Sequence, residues 1–448
     1  MKKGEITAFL SLIFVLLLSF IGALTESAAI QISKNYSREN MDTAMYSVFG
    51  EYQREMLEDY EIFSLDGSYE TGSYSEQNLL DRLIYYGASA MENEVEQIQL
   101  LSDNNGAPLR EQIIYYMKDY YGITALEDLS GQRENWEEME IQGEACEQER
   151  NQSQAILDSA QETSSSSQEL TALADLERSG ILELVLPDTL TLSAKAVSQD
   201  ALPSARSLQS GRGTFEIGAE VDSVAADLYL VEYILRKFGN ALEGKDGHGL
   251  SYEMEYLIGG KASDKENLET VCRRLLLLRM GTNYIYLQGD AGRREEAELL
   301  GLAIATLMLM PEAAEGIAQV LLLGWAYGES ITDLRILFRN GKVPLVKTGE
   351  NWHLPLYGLF TLASGNGGIT GQENAEGLTY REYLRMMLYL KGKEKNTKGI
   401  MDLIEINLHT KGLTFFRVDA CVTKLKIQSR AKVKQGFEYD FSTYFGYR

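Results

Sequence analysis

Cysteine, histidine, proline and tryptophan are all scarce in this 448-residue chain, which has three, three, six and three of them. Cys146, Cys272 and Cys421 are far apart and form no C-x-x-C pair, so neither a disulfide framework nor a cysteine zinc site is expected. The shortage does not argue against a place outside the cytoplasm, because a large core folds without staples. His248, His353 and His409 lie in separate segments, and no H-E-x-x-H or EF-hand loop occurs. The expectation is therefore no metal and no cofactor. Positive charge is missing from one part only. Residues 1–200 hold 36 Asp/Glu against 12 Lys/Arg, whereas residues 201–448 hold 30 of each, so the whole net charge of −24 sits in the first part. Such an acidic surface repels phosphate backbones, and nucleic acid is not expected as a partner.

What the N-terminus lacks is any charge or breaker across a long apolar run. Ile6 to Leu24 is 19 uncharged residues, mostly Leu, Ile, Phe and Val. As a helix it spans about 28 Å, enough for a hydrocarbon core of about 30 Å. Lys2 and Lys3 precede it, which sets the N-terminus in the cytoplasm and the remainder outside. A cleaved signal peptide has a shorter apolar region and a small-x-small site, whereas Ser27-Ala28-Ala29 here follows a glutamate. Beyond the run, Met41, Met45, Val48, Tyr52 and Met56 recur three or four apart on one helical face. That face is the candidate interaction surface, packing against a partner helix or against the protein's own domain. The bilayer is thus the first expected partner.

The short basic leader Lys2-Lys3-Gly4, the apolar helix and the transition "GALTESA" resemble the N-termini of TadE/TadG-like pilus-assembly proteins of the tight-adherence system. The resemblance covers about 35 residues and implies a membrane-held subunit of a pilus or secretion apparatus. A pilin-type processing site places glutamate five residues after glycine. Here Phe9 stands there and Glu5 follows Gly4 directly, so Gly4-Glu5 is the candidate cut but an uncleaved anchor fits better. The metal-binding D-x-S-x-S loop of larger TadG-like proteins is absent, since Asp128-Leu129-Ser130-Gly131-Gln132 fails at its last position. The stretches "YEMEYLIGGKASDKENLETVCRRLLLLR", "GWAYGES" and "VPLVKTGENW" resemble an uncharacterised extracytoplasmic domain associated with tight-adherence genes of Gram-positive bacteria.

The pattern divides the chain into an anchor at 1–25, an acidic helical stalk or coiled-coil region at 26–163, a flexible linker at 164–211 and an α+β domain at 212–448. Within the stalk, "SEQNLLDRLIYYGASAMENEVEQIQLL" reads as helix from Leu80, Leu83, Met91, Val95 and Ile98. Ser164 to Ser167, Pro203 and "SGRG" read as loose chain. Further on, "SYEMEYLIGG" alternates as a strand would, and Asn340-Gly341 signals a hairpin. Ser263/Glu266 and Thr379/Glu382 are capping boxes that start helices, and Pro311 opens another. "LGLAIATLMLM" is too short for a second span. At the C-terminus Leu425, Ile427, Ala431 and Val433 share one side of a strand and Lys424, Lys426, Arg430, Lys432 and Lys434 the other. Glu438 and Asp440 of a returning strand would answer that basic face.

Two segments invite a chemical reading. "SGNGGITG" (Ser364 to Gly371) lacks the helix start directly after its glycines that phosphate binding needs. His248 lies beside Asp246 and Ser251, but a hydrolytic triad requires convergence in space, not adjacency in a glycine-rich turn. The reading is therefore an α+β fold: an N-terminal transmembrane helix continuing into a helical stalk, then a mixed extracytoplasmic domain with C-terminal antiparallel strands. The expected role is a non-catalytic component of a tight-adherence-type assembly, minor-pseudopilin-like or a scaffold, with other pilus or secretion subunits and copies of itself as partners. The competing expectation is a membrane-tethered envelope enzyme or ligand-binding receptor, which polar side chains converging around His248 in a deep pocket would favour.

Overall fold

The computed structural model describes residues 3–121, 133–162, 170–173, 176, 179–218, 221, 223–362, 376–432 and 436–447. Lys2, Asp128 to Gln132, Ser164 to Ser167, Ser364 to Gly371, Val433 and Lys434 lie outside the described residues. The fold is α+β, with a long apolar N-terminal helix and an antiparallel sheet that takes in the C-terminal strands. The chain divides into two units. One comprises Met1–Tyr116, Arg206–Val221 and Lys411–Arg448, and the other comprises Met117–Ala205 and Asp222–Thr410.

In the first unit, helix α1 (Lys3–Phe49) runs unbroken because nothing from Thr7 to Phe49 forbids it: no proline, and Gly22 alone among glycines. Its first part is exposed throughout the apolar run. Its second part buries Met41, Ala44, Met45, Val48 and Phe49, the spacing of one helical face. Each of the large side chains contributes about 1.5–3 kcal/mol by leaving water. That face lies on a sheet of β1 (Leu65–Asp66), β2 (Met91–Leu100), β3 (Cys421–Lys432) and β4 (Glu438–Gly446), in which β3 pairs antiparallel with each of the others. Val95, Ile98, Leu425, Ile427 and Phe441 supply the sheet's side of the core. Phe49 sits 4.6 Å from the ring of Phe445, and the Tyr447 hydroxyl donates to the Phe49 carbonyl at 2.6 Å.

Several expectations meet this unit. The β3/β4 pairing holds, with Arg430 opposite Asp440 and Lys432 opposite Glu438. The basic face is answered by the chain's own acids: Lys426 meets Glu96 at 2.7 Å and Arg430 meets Asp440 at 2.9 Å. The helix expected through Ile98 is corrected. It stops at Tyr85, and Met91–Leu100 is strand, so residues 26–163 are not wholly helical. The loose chain at "SGRG" is also corrected. Asp419 holds Arg206 and the Gln209 amide, and the Arg212 amide and carbonyl pair with Ile98. Gly211 is required there because a Cβ would stand 2.2 Å from the Ile98 carbonyl oxygen.

The second unit is helical among its described residues. Helix α2 (Asp264–Gly289) starts at the Ser263/Glu266 capping box, both bonds of which form. Helix α3 (Ala291–Leu307) follows, then Pro311 opens a 3-10 turn into α4 (Ala314–Leu337). Helix α4 is buried on nearly all sides from Ile317 onward, as an apolar core helix should be. The Thr379/Glu382 box starts α5 (Tyr380–Lys391). Two expectations fail here. "SYEMEYLIGG" is the helix Glu253–Gly259, its apparent alternation coming from two acids, Glu253 and Glu255, that are buried. Asn340-Gly341 makes no hairpin. Asn340 takes φ 61° just beyond α4, and the Gly341 amide donates to the Ile336 carbonyl, which closes the helix.

Candidate functional site

Four charged side chains with no exposed area meet inside the second unit: Arg279 of α2, Glu329 and Asp333 of α4, and Lys347 of the following loop. Glu329 and Asp333 are four apart, so they share one face of α4 and point at α2. Lys347 Nζ lies 2.6 Å from Glu329 Oε1 and 2.7 Å from Asp333 Oδ1, and donates to the Asn351 carbonyl at 3.0 Å. The other Asp333 oxygen, Oδ2, accepts from Arg279 Nε at 3.0 Å and Asn283 Nδ2 at 3.1 Å. Arg279 also reaches the Leu345 carbonyl at 3.0 Å. Glu329 Oε2 accepts from the Leu354 amide at 2.7 Å, and Oε1 accepts from the His353 amide at 3.0 Å. Trp325 and Trp352 both donate to the Leu354 carbonyl and cross edge to face, fixing the residue whose amide Glu329 holds.

The charges balance, two against two, which is the condition for burying them at all. Burial alone would raise the Asp333 carboxyl, but Lys347 and Arg279 beside it hold it below the usual carboxylate range. Burial pushes the neighbouring Tyr383 phenol up to about 12, so it stays neutral and accepts from or donates to its partners as a hydroxyl. Ligand atoms of Glu329, Asp333 and His353 lie within 4.8 Å of one another, a spacing that suits a cation. The Lys347 ammonium already stands between the two carboxylates, and that fixed charge does what a metal would do.

His248 lies elsewhere in this unit and does not join Asp246 and Ser251. Its Nδ1 is 2.8 Å from Glu253 Oε1, Asn407 donates to the same oxygen at 2.7 Å, and Glu253 Oε2 accepts from the Gly239 amide. The Ser251 amide is committed to Asp264 at 2.9 Å. Among the described residues no hydroxyl or thiol hydrogen-bonds the histidine, and the arrangement pins the glycine-rich loop to two helices. Next to it Glu255 accepts from the Tyr380 hydroxyl at 2.6 Å, and burial raises its carboxyl to about 7. A separate cavity of about 660 Å³ has a mixed lining, with Arg294, Glu298, Glu315 and Gln319 beside Ala318 and Leu322.

Of the residues singled out from sequence, Met41, Met45, Val48 and Met56 are buried in the first unit, while Tyr52 is 39% exposed. Gly4 and Glu5 are exposed within α1, and Lys3 is the first residue of that helix. The four-charge cluster was not singled out. Its signal is the pair Glu329 and Asp333 in an otherwise uncharged helical run from Gly316 to Leu334, with the two cations in the quoted stretches "CRRLLLLR" and "VPLVKTGENW".

A family model described as a family of unknown function (DUF5702) matches residues 159–433, which include the whole cluster. That description names no pilus or tight-adherence system. No curated protein and no solved structure matches.

Proposed function

We propose that this chain, which belongs to the DUF5702 family of unknown function, is a non-catalytic, membrane-anchored subunit of an extracytoplasmic assembly. The finer reading is a tight-adherence-type pilus or secretion assembly, with the chain as a minor-pseudopilin-like subunit or scaffold. The observation that carries it is α1. One continuous helix is long and apolar enough to cross a membrane over its first part, and is packed on a sheet by its last turns. An apolar surface of this size demands lipid or neighbouring helices around it. Lys2 and Lys3 favour N-in, C-out insertion.

Two further features support assembly over catalysis. The four-charge cluster and His248 are engaged by internal partners of the same unit. Leu299, Leu302, Leu307 and Leu309 stand 50–87% exposed along and just beyond α3, an apolar surface suited to another subunit. The competing receptor reading has the cavity beside α3 in its favour.

Protease treatment of intact cells tests the orientation. Digestion of the exterior domain without opening the cells is expected, and resistance until lysis overturns the topology. A photo-crosslinker at Leu302 is expected to join the chain to a second membrane-bound subunit. Equal labelling with and without the other subunits of the assembly would sink the assembly role.

A further inference from the structure

The buried cluster holds an amine 2.7 Å from one oxygen of a carboxyl group and 2.6 Å from a second carboxylate that can carry its proton. We propose that Lys347 and Asp333 condense to an intramolecular isopeptide bond after the second unit folds. The membrane reading could fail without affecting this, because every residue involved lies inside one unit.

The geometry assigns each part. Lys347 Nζ approaches Asp333 from the Oδ1 side at 2.7 Å, while Oδ2 is held by Arg279 Nε and Asn283 Nδ2. Those two donors polarise the carboxyl carbon and stabilise the negative charge that gathers on Oδ2 as nitrogen attacks. Glu329 Oε1, 2.6 Å from Nζ, takes a proton from the ammonium to free its lone pair. Glu329 passes that proton to Asp333 Oδ1, so a neutral amine meets a neutral carboxylic acid, and the N–C bond forms at Asp333 Cγ. Glu329 then carries a second nitrogen proton to the Oδ1 hydroxyl, which leaves as water. The ammonium's three hydrogens end as one on the amide and two in that water, and the positive and negative charges cancel. No oxidant or cofactor enters.

Two physical circumstances favour condensation here although it is unfavourable in open water. The two reacting groups are held together by the fold at ion-pair distance, with little translational freedom left to lose. The product also removes one positive and one negative charge from a site where both have no exposed area, leaving Arg279 and Glu329 in balance. An ordinary buried ion pair gives the same starting geometry, so the test reads the covalent bond itself.

Full-length protein, purified in detergent and shown folded by its tryptophan fluorescence, is denatured and mapped by protease digestion and mass spectrometry. The expected result is a branched peptide joining the Asp333 and Lys347 segments, lighter than their sum by one water, with no tryptic cleavage after Lys347. Asp333→Asn is expected to keep the branch with loss of one ammonia instead, and Lys347→Arg to lack it. Complete cleavage after Lys347 in folded wild-type protein, with both linear peptides recovered, would overturn the proposal. A branch that forms undiminished in folded Glu329→Gln would overturn the proton-carrying role.

Discussion

Glu255 has no exposed area: Oε1 accepts from the Tyr380 hydroxyl and the Ala241 amide, while Oε2 has no hydrogen-bond partner among the described residues. Burial therefore outweighs those two bonds and lifts the carboxyl from 4.5 to about 7. A folded-state value above the unfolded one means that the fold keeps a proton the unfolded chain has already released. Stability is accordingly full below about pH 4.5 and falls as pH rises through 7. The size of that fall follows from the shift, about 3 kcal/mol at pH 8. Glu255→Gln removes the titration while its amide oxygen keeps both donors. Urea unfolding of the full chain in detergent, followed by tryptophan fluorescence at pH 5 and pH 8, reads the difference. The variant is expected to gain about 2.5 kcal/mol relative to wild type between those two pH values, since part of the fall already lies below pH 5. Lys391, held down to about 8 by burial, works in the opposite direction and only above that pH. Parallel pH profiles for the two proteins would refute the reasoning.

Three further outcomes follow from the same structure. Leu16→Lys puts a charge at the middle of the apolar run at a cost of about 3 kcal/mol, and a clear shift of protein from the carbonate-resistant membrane fraction to the soluble one is expected. Met45→Ala opens a cavity between α1 and the sheet at a cost of about 2–5 kcal/mol; faster proteolysis of the first unit with unchanged membrane fractionation is expected, and equal proteolysis would show that α1 does not hold the sheet. Ser263→Ala removes the hydroxyl that accepts from the Glu266 amide at the start of α2 while the backbone amide at 263 still donates to Glu266, and a loss of about 1 kcal/mol in urea unfolding checks it.

Local signals were legible where local chemistry decides the outcome. Both capping boxes form, Pro311 opens its turn, and the β3/β4 charge register is the one that alternation and opposite charge dictate. The failures have a common origin in tertiary context. Strand β2 has irregular register between Val95 and Gln97 and between Gln99 and Leu100, so Met91, Val95 and Ile98 fall at intervals of four and three and imitate a helix. The helix at Glu253 imitates a strand because its two acids are buried against distant partners, Asn407 and Tyr380, which no short window contains. Asn340-Gly341 belongs to a helix end because Ile336 lies one turn behind it. The charge cluster draws on positions 279, 283, 329, 333 and 347 and was legible only as acids out of place in an apolar helix.

Helix α1 has a consequence for how force and orientation pass through the first unit. At 47 residues it measures about 70 Å. With Ile6 to Leu24 in lipid, as proposed, the remaining turns would set the sheet at a fixed height above the headgroups, with no joint in between. A tilt or twist imposed on the buried end therefore swings the strands with it, as a key turns its bit.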